Sequence, residues 1–145
     1  MFTTKRRVEM YDINHHEEQL MKRFIVPAKR NRYRELLSSE RGRQKIIKNL
    51  DHFRDLDERY IQSLPANLHQ PKWIENLLKE KGAPPECHVM SSNNKFDGQD
   101  LALGEALQHT IGKGFGTFLS CISGKLAYYE SEEANFRYLL QRDDL

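Results

Sequence analysis

Gly82-Ala83-Pro84-Pro85 constrains this chain more than any other stretch. Two consecutive prolines fix φ and offer no backbone N–H, so neither a helix interior nor a central strand passes through them. The chain therefore reads as two parts joined by a stiff turn. Before the turn, apolar residues recur at helical spacing. After it, short apolar runs such as Cys87–Met90, Thr117–Ile122 and Leu126–Tyr129 are separated by stretches containing Gly, Ser and Asn. That division predicts an α+β fold in one domain over 1–145, with a helical part over about 1–82 packed against a strand-containing part over about 86–145. At 145 residues one core is the default, because a chain of that size buries roughly two-thirds of its unfolded surface without disulfides or metals.

In the helical part, Asn14 suits the N-cap of a helix reaching about residue 24, with Glu17 three positions on. Pro27 suits the first turn of a second helix that turns Val26, Tyr33, Leu36 and Leu37 inward. The clearest periodicity lies over 40–56, capped by Ser38 or Ser39. There Ile46, Ile47, Leu50 and Phe53 share one apolar arc at about 100° per residue. Residues 57–64 read as a turn or short helix. Residues 71–81 read as a helix carrying Trp73, Ile74, Leu77 and Leu78 that stops at Gly82.

Beyond the turn the expected order is β-α-β-β-α: a strand at 87–90, a polar loop over 91–98, a helix over 101–111 closed by Gly112, and strands at 117–122 and 125–129. Ser123-Gly124 joins the last two as a tight hairpin, and a final helix from Ser131 faces Phe136, Leu139 and Leu140 inward. If the first two strands share a sheet, the helical crossover makes them parallel and right-handed. The glycines of Gly112-Lys113-Gly114-Phe115-Gly116 follow a helix and enter a strand, the reverse of a phosphate-binding loop, so they read as a flexible turn.

Charge supplies the leading functional reading. Residues 1–50 carry 13 Lys/Arg against 6 Asp/Glu and stand at +7; residues 51–145 carry 10 against 15 and stand at −5. On the third helix Arg41, Lys45, Lys48 and His52 fall within about 60° of one another, opposite the apolar arc. Such a stripe can neutralise phosphates. The commoner reading is a solvated helix face partly paired with Asp51 and Asp55, and it is preferred for the stripe itself. Arg43 sits inside the apolar arc; it either snorkels, the preferred reading, or meets an inward-facing carboxylate. The charge asymmetry also permits self-association into a homo-oligomer.

The best reading is thus a small non-catalytic interaction or regulatory protein whose anion-binding residues are Arg41, Lys45 and Lys48, with a nucleic acid or an acidic protein as partner. The alternative is a small enzyme with a site between the 91–100 loop and the 117–130 hairpin, using Asp97, Asp100, Tyr128 and Glu130. There Glu130 ends the strand face that carries Thr117, Leu119 and Tyr128, although an exposed or helix-capping Glu130 is preferred. A third reading is a structural subunit of a homo-oligomer. His15, His16, His52, His69, His88 and His109 show no ligand spacing with Cys87 and Cys121, so neither a metal nor a cofactor is implied. No apolar run suggests a leader or a membrane span, and the two cysteines are expected as free thiols in a cytoplasmic protein.

Overall fold

The Asn14 side chain accepts a hydrogen bond from the Glu17 amide, and Ser39 Oγ accepts one from the Gly42 amide, so both predicted caps start their helices. The computed structural model describes residues 11–65, 67, 70–133 and 136–144. Helices α1 (His15–Arg23), α2 (Arg30–Leu37) and α3 (Glu40–Lys48) come first, followed by β1 (Ile61–Ser63) and α4 (Pro71–Glu80). Then follow β2 (Glu86–Ser91), β3 (Asp100–Ala102), α5 (Leu103–Thr110), β4 (Thr117–Ile122), β5 (Leu126–Glu130) and β6 (Arg137–Gln141). The α+β class holds. The strands form one sheet in the order β1-β6-β5-β4-β2-β3, and every neighbouring pair is antiparallel.

Helices cover both faces of the sheet. Leu20, Phe24, Leu37 and Ile46 of α1–α3 pack with Met90, Phe118, Tyr129 and Leu140 on one side. Ile74 and Leu78 of α4 and Leu103 and Leu107 of α5 pack with Val89, Leu119, Tyr128 and Leu139 on the other. Each such side chain contributes roughly 1.5–3 kcal/mol by leaving water. A strand in the middle of this arrangement has no solvent face, so β4 and β5 are buried on both sides rather than alternately exposed.

That double burial explains where the sequence reading fails. The expected final helix is the strand β6, paired with β5 from Glu130↔Arg137 to Leu126↔Gln141. Leu139 and Leu140 look like neighbours on a helix face, but here they enter opposite cores, while Phe136 is exposed. The expected parallel pair is antiparallel, because the short strand β3 reverses the chain before α5 and β4 returns beside β2. Residues 61–63, read as turn or helix, form the edge strand β1 beside β6. The third helix ends at Lys48, well short of residue 56, and continues only as a 3₁₀ turn over Leu50–His52. The chain turns at Ser123-Gly124 as expected, the Lys125 amide donating to the Ile122 carbonyl and Gly124 having φ of 73°, but Ile122 pairs with Leu126, so Lys125 belongs to the loop and not to the second strand.

Candidate anion-binding face

A Cβ on Gly42 would lie 2.1 Å from the Leu36 carbonyl oxygen, so only glycine lets α3 approach α2 this closely. Ile46 and Ile47 bury the inner side of α3, and the helical period then leaves Arg41, Lys45 and Lys48 exposed together. A shallow groove runs between the helices, lined by Leu36, Lys45, Lys48 and, from α2, Arg32. It continues past Arg41 and Ser39, where Glu35 is the carboxylate on its wall. Arg32 is a member of this face that single-helix geometry did not reveal. His52 leaves the stripe because the α-helix has already ended; its Nε2 lies 3.6 Å from Glu132.

Glu35 lies on the groove wall without forming an ion pair to its cations. Among the described residues, Arg32, Arg41, Lys45 and Lys48 make no ion pair, whereas Arg23, Arg30, Arg43, Arg59, Arg137 and Arg142 all do. The two acids expected to neutralise the stripe are engaged elsewhere. Asp51 accepts hydrogen bonds from the Gly116 amide at 2.7 Å and from Ser92 Oγ at 2.5 Å. Asp55 takes the Lys29 ammonium at 3.0 Å and the Tyr33 hydroxyl.

Arg43 meets carboxylates instead of snorkelling. Its Nε and Nη2 donate to Glu17 at 2.7 and 2.8 Å, and its Nη1 and Nη2 donate to Asp97 at 2.7 and 2.8 Å. His88 Nε2 lies 2.7 Å from Glu17 Oε2, and its Nδ1 lies 2.7 Å from Asp100 Oδ1. Burial opposes a charge on Glu17, but the hydrogen bonds from Arg43 and His88 outweigh it and hold the carboxyl below its usual range. Burial likewise opposes protonation of His88, yet its bonds to Glu17 and Asp100 raise its pKa. His16 stacks on it with ring centroids 5.8 Å apart; burial and the charge of His88 lower its pKa. The network clamps α1, α3, β2 and the 92–99 loop beneath a polar cleft that also reaches Tyr11, Asn14 and Gln44. The sequence flagged its centre, Arg43, but not its partners.

The four residues of the enzyme reading do not converge. Asp97 and Asp100 belong to the Arg43–His88 network on the α1–α3 side, whereas Tyr128 and Glu130 lie on the α4–α5 side. Glu130, expected to be exposed or to cap a helix, is fully buried. Its Oε1 accepts from Tyr128 Oη at 2.7 Å and Arg137 Nε at 3.1 Å, and its Oε2 accepts from the Gly112 amide at 2.7 Å. Both oxygens are thus occupied by protein donors. Burial, then Glu130, pushes the Tyr128 phenol upward.

Among the described residues no group of three or more His, Cys, Asp or Glu side chains is arranged to hold a metal ion, and none of their helices is long and apolar enough to cross a membrane. His69 lies outside the described residues. No protein-family model matches the chain, and no curated protein or solved structure matches it significantly.

Proposed function

We propose that this protein is a non-catalytic binding protein whose α2–α3 groove holds the phosphates of a nucleic acid. One observation carries the reading: among the described residues Arg32, Arg41, Lys45 and Lys48 converge on one exposed groove without ion pairs, while six of the eight other described arginines are matched to carboxylates. Cations left free on one surface are available to release counterions from a phosphate backbone. Among the described residues the aromatic side chains with the largest exposure, Trp73, Phe115 and Phe136, lie elsewhere, which favours backbone contact over base stacking. Point charges on phosphates position a protein without reading bases, so binding is indifferent to sequence.

Fluorescence anisotropy with labelled duplex across a salt series tests this. Four phosphate contacts give log affinity against log salt a slope of about −3.6 from these residues alone. Reversing Arg41, Lys45 and Lys48 together flattens the slope by about 2.7 and leaves the thermal melt nearly unchanged, because exposed charges contribute about 0–1 kcal/mol each. Equal binding by both proteins at low salt sinks the reading.

A further inference from the structure

The two cysteines of the chain stand on adjacent central strands, Cys87 on β2 and Cys121 on β4. Their bridged register runs from Ser91↔Thr117 to His88↔Ser120, so the next antiparallel step sets Cys87 opposite Cys121. Both side chains enter the same buried cluster on the α4–α5 side, and both are free thiols. Directly opposed residues in such a ladder have Cα atoms about 4.5–5.5 Å apart, inside the roughly 4.4–6.8 Å range that a disulfide spans. Cys121 is also the extra residue of a bulge, because the β4–β5 register steps from Ser120↔Ala127 to Ile122↔Leu126.

We infer that Cys87 and Cys121 form a cross-strand dithiol that closes to an intramolecular disulfide when a low-molecular-weight disulfide is available. One thiolate attacks the reagent disulfide, breaking its S–S bond and releasing one thiol. The second cysteine thiolate then attacks the mixed disulfide, forms the Cys87–Cys121 bond and releases the second reagent thiol. Two electrons pass from the cysteine pair to the reagent, and the two cysteine protons end on the released thiols. Burial pushes the Cys87 thiol up to about 12 and raises Cys121 further, so the folded pair is shielded from attack. Closure therefore takes place during folding or through transient opening of the sheet.

Refolding the full chain in glutathione buffers of graded oxidised-to-reduced ratio, then alkylating in denaturant, tests the pairing. The folded chain should hold the disulfide tens-fold to a hundred-fold more strongly than the same chain kept in urea. Its non-reduced peptide map should join Cys87 to Cys121, and its Tm should rise by roughly 5–10 °C over the reduced form. Equal oxidation of folded and unfolded chains, two thiols still open to alkylation at the most oxidising ratio, a glutathione adduct that persists in place of the Cys87–Cys121 bond, or an oxidised protein that melts below the reduced one would each overturn the inference.

Discussion

Arg43→Met replaces the guanidinium at the centre of the buried ionic network with an apolar chain of similar length. The change removes four hydrogen bonds of 2.7–2.8 Å and leaves the Glu17 carboxylate with His88 as its one cationic partner. Stranding a buried carboxylate costs about 3–5 kcal/mol. Asp97 keeps the Ser91 amide and a little solvent access, which places the expected loss near the lower end, about 3 kcal/mol. That corresponds to a Tm drop of about 6–12 °C for a chain of this size. Urea melts followed by far-ultraviolet circular dichroism measure it, and acidification adds a sign that simple loss of packing lacks. In the wild type, Glu17 titrates below its ordinary 4.5, so its contribution is complete above that value and is lost as pH falls through the depressed pKa. In the variant the carboxyl binds a proton more readily, so the gap between the two proteins narrows between pH 7 and pH 4. A gap under 1 kcal/mol at pH 7, or one that stays constant on acidification, refutes this account of the network.

Two further outcomes follow from named contacts. His88 faces Glu17 and Asp100 through its two nitrogens and His16 through its ring, and its folded pKa is raised above 6.5. Its contribution to stability is therefore full below pH 6.5 and lost as pH rises through the folded pKa; proton NMR should show a late-titrating imidazole, and His88→Gln should remove that alkaline decline. Gly124 combines a φ of 73° with a Cβ position 2.8 Å from Arg23 Cδ, so Gly124→Val should destabilise by roughly 1–3 kcal/mol in the same urea melts, and an unchanged midpoint would show that the turn tolerates a side chain.

Local chemistry made much of this fold legible, and the failures share one physical cause. The Asn14 and Ser39 caps, the Ile46–Ile47 arc and the Ser123-Gly124 turn depend on residues a few positions apart, and all are present. Leu139 and Leu140 depend on something else, because their spacing fits a helix unless both faces of the sheet are covered, which requires α1–α3 and α4–α5 to be in place already. The candidate sites divide along the same line. The helical period decides that Arg41, Lys45 and Lys48 share a face, but their lack of partners depends on where Asp51 and Asp55 spend their oxygens. Asp51 is taken by the Gly116 amide, 65 residues away, and Asp55 by Lys29 and Tyr33 on the neighbouring chain segment. Arg43 differs from Arg41 by two positions and has the opposite fate, because Glu17 and Asp97, 26 and 54 residues distant, reach it. Identical side chains on one helix thus become a buried clamp or an open groove according to which distant carboxylates the fold delivers.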